Sequence, residues 1–393
     1  MDAQAGIEAI RTGKAGLRRA RTRARDWAVV ALFLALVSLP ALAQVATLGG
    51  SGADENRVLA PPPQWVGFAR LRDLAQATDA YIADHFGLRR QLVRLNSLLR
   101  YRLGVSSTPK VAIGEDGWLF YAGEKVLEQH TGENVFTPAE LEHWVSVMTQ
   151  MRDWLARRGI ALVIMIAPDK TTIYPEKLPA YPRPPGRTTR ADQLADRLKL
   201  TDLVLVDPRQ ALIDAKARHK VYFEGDSHWT QRGAFIAYRE LMERVQERFP
   251  AAVPAAPEDY DIVPVRSATS DQAFLLGLQD DLTYPSERWT RRTSHQLRTT
   301  TRNPAPDQIW RWPVRFVETD LTDRPRVLMF CDSFTDYVLG PTFLYETFRS
   351  LAYTHHNGGL FDFGLVDEVK PDLVIIQFAE RYLASPLRTP LGF

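Results

Sequence analysis

The stretch from Thr137 to Ala167 constrains this chain of 393 residues more than any other. Thr137-Pro138-Ala139-Glu140 has the form of a capping box, with proline at the first helical position, where its missing N–H costs nothing. Leu141, Trp144, Val145, Met148, Met151 and Leu155 follow at spacings of three and four, laying one apolar stripe along a helix. Gly159 stops that helix, and ALVIMIA (161–167) follows without a polar residue. A strand apolar on both faces must be covered on both faces, as in a parallel sheet between helical layers. Further strands are expected at Leu203 to Val206, Arg326 to Phe330 and Leu373 to Phe378, and a helix from about Thr230 to Glu247. Residues 250–310, polar and Pro-rich, are expected to be irregular surface insertions. The expected class is α/β, with a parallel sheet flanked by helices.

Composition excludes several alternatives. With 45% hydrophobic, 24% charged and 10% aromatic residues, wholesale disorder is ruled out, and the length suffices for one large or two ordinary cores. A net charge of +2 supplies no global field for nucleic acid. The single cysteine, Cys331, excludes an intrachain disulfide and argues against a cysteine-based metal cage.

The charge is unevenly placed. Residues 1–26 hold seven Lys/Arg against three Asp/Glu, a net of +4, so the remainder is +2 − 4 = −2. From Trp27 to Val45 the chain carries no charge for nineteen residues. At ~1.5 Å per residue, that run approaches the roughly 30 Å thickness of a bilayer core. The preceding arginines suit a positive-inside orientation. Two readings stand: an uncleaved transmembrane anchor, or a signal peptide cut after Ala41-Leu42-Ala43. The expected organisation is a basic cytoplasmic tail (1–26), an anchor or signal (27–45), a linker and helical segment (46–109), and a main α/β domain (110–393) outside the cytoplasm. No internal repeat or low-complexity tract interrupts it.

Two boxes carry residues suited to chemistry. Gly225-Asp226-Ser227-His228-Trp229 sets a carboxylate two residues from an imidazole. A neutral His acting as general base needs such a carboxylate to fix its tautomer. An exposed loop Asp beside a packed His satisfies the same spacing. A metal site would be poorly furnished by this pair. In Cys331-Asp332-Ser333-Phe334 an apolar strand runs into Asp-Ser before a helix, placing the Ser hydroxyl at the carboxyl end of the sheet, where ligand sites of open α/β sheets lie. Plain helix capping is the alternative. Cys331 is either a nucleophile or a buried small hydrophobe. Lys170 and Arg381 each follow a strand end, as candidate contacts to an anionic substrate or as solvated charges. Trp229 and Tyr337 join them as candidate substrate contacts beside the two boxes. His355-His356 is expected on an exposed, Gly-flanked loop.

Taken together, GEDGWLFY (114–121), APDKTTIYPEKLP (167–179), GDSHWTQRGA (225–234), CDSF (331–334) and KPDLVI…ERYL (370–383) resemble the alginate O-acetyltransferase family of AlgJ and AlgX. ENRVLAPPP (55–63) and FGLRRQLVRLN (86–96) extend the resemblance, and the N-terminal segment and the chain end are more similar to AlgJ. The resemblance implies an SGNH-hydrolase-like domain with a permuted order of catalytic boxes, in which Ser333 is the nucleophile, His228 the base and Asp226 its partner. It implies no cofactor and no metal. It implies a polysaccharide acceptor, a membrane-bound O-acyltransferase as acetyl supplier, and no nucleic-acid partner. A carbohydrate acetylesterase and a non-catalytic polysaccharide-binding subunit are the alternatives. The Ser box departs from the usual Gly-Asp-Ser by carrying Cys331, whose side chain is expected to narrow the approach to Ser333. The backbone N–H of Ser333 or Phe334 is the expected oxyanion donor.

Overall fold

A computed structural model describes residues 25–39, 42–43, 59–65, 70–267, 270–305, 312–356, 359 and 361–390. The chain divides into two units, Met1–Leu99 and Arg100–Phe393. In the first, helix α1 covers residues 25–39 and is exposed throughout. Residues 40, 41, 44 and 45 of the expected anchor, and 1–24 of the basic tail, lie outside the described residues. Among the described residues no helix is long and apolar enough to cross a membrane. Helices α2 (Leu71–His85) and α3 (Arg89–Arg102) follow, and the Ala60 N–H donates to Asp84 at 2.8 Å.

The second unit opens with a hairpin, β1 (Val111–Ile113) against β2 (Leu119–Tyr121). Its turn uses left-handed backbone at Asp116 and Gly117, the conformation glycine tolerates best. Helices α4 (Val126–His130) and α5 (Pro138–Ala156) lead into β3 (Ala161–Ala167). Both halves of the capping box form: Thr137 Oγ1 accepts the Glu140 N–H, and Glu140 Oε2 accepts the Thr137 N–H. After α6 (Lys170–Ile173) and α7 (Arg190–Leu198) come β4 (Val204–Val206), α8 (Arg209–Lys216) and α9 (Gln231–Arg248).

The expected irregular region is structured. Strands β5 (Tyr260–Ser267) and β6 (Tyr284–Arg291) form an antiparallel ribbon around α10 (Asp271–Leu276). Tyr260 and Trp289 pin it into the core beside Phe235 and Phe343. Strand β7 (Arg298–Arg302) pairs with β8 (Val314–Glu318) at the sheet edge. Its threonines supply β propensity without apolar bulk, so a hydrophobicity pattern passes over it.

The chain closes with β9 (Arg326–Cys331), a π-helical segment (Thr335–Leu344), β10 (Ser350–His355), α11 (Gly364–Val369) and β11 (Leu373–Ala379). The sheet order is β4-β3-β11-β9-β10-β8-β7. The first five strands are parallel, whereas β8 pairs antiparallel with both β10 and β7, so the sheet is mixed rather than wholly parallel. Successive residues of the central strands face opposite layers. Val163, Met165, Met329 and Ile375 point to the layer holding α9 and the π-helical segment. Leu162, Ile164, Phe330, Val374 and Ile376 point to the layer holding α5, α7 and α11. This two-sided burial is why the strands contain continuous apolar runs. Replacing Thr137 by Ala removes an N-cap acceptor and is expected to cost about 1 kcal/mol of unfolding free energy, measured by urea titration.

Candidate active site

The parallel strands bring their carboxyl ends to one edge, and the two boxes meet there. Strand β9 ends at Cys331 and the chain turns into helix at Ser333. Asp332 makes the turn. Its Oδ1 accepts the Phe334 N–H at 2.9 Å and the Gln377 amide at 3.0 Å, and its Oδ2 accepts the Ala379 N–H at 2.6 Å. Gln377, a lone polar residue within the apolar run of β11, also accepts the Asp332 N–H at 3.2 Å and the Thr335 hydroxyl at 2.8 Å. Burial works to raise the Asp332 pKa. Interaction with the His356 ring and hydrogen bonds from Gln377 and the Phe334 N–H outweigh it and bring it down to about 2.

The second box is a short loop closed by pairing of Tyr222 with Trp229. Within it the Asp226 Oδ1 accepts the His228 N–H at 3.0 Å and lies 2.6 Å from His228 Nδ1. The opposite ring nitrogen, Nε2, lies 2.7 Å from Ser333 Oγ. Asp226, His228 and Ser333 thus form one hydrogen-bonded line between two loops. That line leaves Nε2 able to accept the Ser333 proton while Asp226 holds the Nδ1–H tautomer. Burial alone would raise the Asp226 pKa, but the hydrogen bond and charge of His228 hold it below the usual carboxylate range.

The other predicted contacts divide. Tyr337 is exposed, with its ring 4.9 Å from that of His228. Trp229 is wholly buried, and its indole N–H donates to the Phe334 carbonyl at 3.1 Å. It ties the His loop to the Ser turn and offers no surface to a ligand. Lys170 is buried as well. Its ammonium donates to the carbonyls of Phe223, Glu224 and Asp226 at 3.0, 3.0 and 2.7 Å, and to Gln272 at 3.0 Å. Burial lowers its pKa to about 7 against the attraction of Asp271 and Asp226. Arg381 is buried between the rings of Tyr121 and Phe334, with Nε 3.4 Å from Asp169. Lys170 and Arg381 are therefore buried and engaged by carbonyls, Gln272 and Asp169 rather than solvated charges.

Three expectations at the Ser box change. Cys331 is fully buried in the core, and its thiol lies 3.7 Å from the Thr354 carbonyl, so it does not narrow the approach to Ser333. Burial also pushes that thiol well up, away from nucleophilic use. The Phe334 N–H, one of the two expected oxyanion donors, is committed to Asp332. His355 and His356 are not an exposed loop pair. His355 ends β10 and meets Asp336, while His356 is buried.

Sequence reasoning missed Ser270, Asp271 and Gln272, which lead into α10 within the region expected to be irregular. Asp271 accepts both the N–H and the hydroxyl of Ser227, and its own N–H donates to Asp226 Oδ2 at 3.0 Å. Ser270 donates to the Gly225 carbonyl. A side chain at Gly225 would sit 2.2 Å from the Tyr284 ring and 2.7 Å from Ser270 Oγ, which accounts for glycine there. Asp226, His228 and Asp271 place a donor atom each within 4.8 Å of one another, close enough to share a cation, but their atoms already serve this network.

The sequence matches the family described as SGNH hydrolase-like domain, acetyltransferase AlgX, over residues 111–307, just over half the chain. The chain belongs to this family. The matched range contains Asp226, His228 and Asp271, and Ser333 lies beyond it. A Pseudomonas aeruginosa protein described as a probable alginate O-acetylase AlgJ is 28% identical over 182 residues, 46% of this chain and 45% of the relative. The corresponding protein of Azotobacter vinelandii is 27% identical over 174 residues, 44% of this chain and 43% of the relative. The chain thus spans less than half the length of these curated relatives. The solved structure of Bacillus cereus PatB1 superposes with a TM-score of 0.51 at 14% identity, covering 70% of this chain and 97% of that one, a likeness of fold. The mixed sheet and helical layers described above are the SGNH-hydrolase-like α/β fold of this family.

The Asp332 carboxylate, held at about 2 in the folded chain and near 3.9 when unfolded, contributes stability that is fully present above the unfolded value. That contribution is lost as pH falls through the folded value. The difference in unfolding free energy between the parent and Asp332→Asn is expected to shrink between about pH 5 and about pH 2.

Proposed function

We propose that this protein is an extracytoplasmic O-acetyltransferase that adds acetyl groups to hydroxyls of an exopolysaccharide. The observation that carries this reading is the line Asp226–His228–Ser333, with 2.6 and 2.7 Å contacts at opposite ring nitrogens. Membership of the acetyltransferase family and similarity to proteins described as alginate O-acetylases support it.

Ser333 Oγ attacks the acetyl carbonyl of the donor ester as His228 Nε2 takes its proton. The donor's oxygen leaves with that proton, and the acetyl group remains as an ester on Ser333. A sugar hydroxyl then gives its proton to Nε2 and attacks the acetyl carbon, and Ser333 Oγ leaves and recovers the proton. Asp226 stabilises the imidazolium in both halves. Of the two expected oxyanion donors, the Ser333 N–H takes this role, because the Phe334 N–H is held by Asp332. Residues 27–45 anchor the chain in the inner membrane with its body in the periplasm, and a membrane-bound O-acyltransferase supplies the acetyl group. The esterase differs only in that water attacks the acetyl-serine.

The test incubates the protein with an activated acetyl ester and a panel of oligosaccharides and measures masses. Acetylated sugar is expected, with acetyl-Ser333 trapped when acceptor is omitted. Ser333→Ala is expected to form neither product. Asp226→Asn is expected to lower turnover on the order of 10⁴-fold, because the wrong tautomer then faces Ser333. Asp271→Asn, which loosens the His loop, is expected to lower it about ten- to hundredfold. Free acetate alone, unaffected by sugar, would make the protein an esterase. Identical behaviour of wild type and Ser333→Ala would leave the binding-subunit reading.

A further inference from the structure

The π-helical segment after Ser333, the end of β10 and the residues just before β8 carry rings that the acyl-transfer steps do not use. Tyr337 is 68% exposed with its ring edge against His228, and Trp312 is 50% exposed. The Trp312 ring lies 5.0 Å from that of His355 at a shallow 35°. Asp336, next to Tyr337 in the chain, joins the two ends. Its Oδ2 lies 2.9 Å from His355 Nε2, and its Oδ1 accepts from Arg315 at 2.5 Å. Arg315 also donates to the Tyr353 hydroxyl at 2.9 Å. An unbroken series of contacts therefore runs from the His228–Ser333 pair through Tyr337, Asp336 and His355 to Trp312.

A single exposed aromatic on a protein surface calls for no explanation. Two large exposed rings joined by a polar pair, one of them against the His228 imidazole, are a different arrangement. Both rings are held in place: Tyr337 by the imidazole beside it, Trp312 by stacking on a histidine that is itself fixed by a carboxylate. Flat rings with polar groups between them match a pyranose chain, whose C–H faces are apolar and whose rim is all hydroxyl. An acyl chain would be better served by an enclosed apolar slot than by an open ledge floored with an ion pair.

We propose that this ledge is the acceptor subsite: a glycan chain lies across Trp312 and Tyr337, with Asp336, His355 and Arg315 meeting its hydroxyls, and one sugar hydroxyl reaches His228 Nε2. The proposal rests on the transferase reading above and adds where the acceptor binds and which residues hold it.

The test uses the full chain carrying Ser333→Ala, in which no transfer proceeds, and titrates two probes by calorimetry: a uronic-acid oligosaccharide and a neutral glucan oligosaccharide. At least one is expected to bind. Adding Trp312→Ala is expected to weaken that binding about tenfold or more, whereas Trp312→Phe, which keeps a flat ring, stays within about threefold. Tyr337→Ala gives a second measure should Trp312→Ala fail to fold, as judged by its thermal transition, and is expected to weaken binding similarly. The proposal is overturned if neither oligosaccharide binds, or if affinity survives both alanine substitutions within about twofold. Acetylation of Ser333 is followed separately on the wild-type chain by mass. Glycan binding that depends on Trp312 with no acetyl-serine would sink the transferase reading and leave the ledge standing. Acetyl-serine with no dependence on Trp312 or Tyr337 would do the reverse.

Discussion

The buried carboxylate of Asp332 holds together the sheet edge at which Ser333 and His228 meet. Strands β9 and β11 are paired along their length, but their ladder stops at Phe330 and Ile376, short of the carboxyl ends. Beyond it, Asp332 takes over the pairing by accepting the Ala379 N–H and the Gln377 amide. The same carboxylate accepts the Phe334 N–H, so one side chain both extends the sheet and starts the helix that presents Ser333. A carboxylate without water is costly unless its lone pairs are satisfied. Here several donors converge on it, and that satisfaction keeps it ionised at the point where the chain must turn.

A second buried charge plays the matching part for the histidine loop. The loop from Phe223 to His228 turns the carbonyls of Phe223, Glu224 and Asp226 inward, and the Lys170 ammonium gathers all three, sharing that of Glu224 with the Leu119 N–H of β2. Lys170 stands at the first position of α6, directly after β3, so it belongs to the same carboxyl edge as Ser333. Trp229 then links the loop to the Ser turn through the Phe334 carbonyl, and Asp271 grips it from the outer ribbon. The short contact between His228 Nε2 and Ser333 Oγ is the product of three supports arriving from β3, β9 and α10.

The outer ribbon shows why family membership and fold are separate from the workings of the site. The range that matches the family ends at residue 307, so it includes α10 and the β5–β6 ribbon and excludes Ser333. Segments that looked like surface insertion instead place Asp271 against Ser227 and Asp226 of the histidine loop. Beyond that range lie Ser333, just after β9, and the stacked pair of Trp312 and His355. The hydrogen-bonded line of Asp226, His228 and Ser333 is thus divided between two stretches of sequence that meet at the sheet edge.

Much of this was legible in the sequence. The capped helix and the continuous apolar strand at 137–167 dictate an α/β layer structure, because burial on both faces leaves no other partner for such a strand. The strands at 203–206, 326–330 and 373–378 were readable for the same reason. Asp226, His228 and Ser333 could be singled out because each lies in a short polar box next to a strand or helix boundary. What the sequence could not decide is which charges face solvent. Lys170, Arg381 and Trp229 have the composition of a ligand site, and only tertiary packing turns their polar ends inward onto carbonyls and carboxylates. Nor could hydrophobic periodicity find β7, whose strand-forming threonines bury nothing, or Asp271, whose role exists only once a ribbon folds back over a loop 45 residues earlier. Local patterns determined the elements and the chemical groups. Long-range hydrogen bonding to buried charges decided which groups face the reaction and which hold it in place.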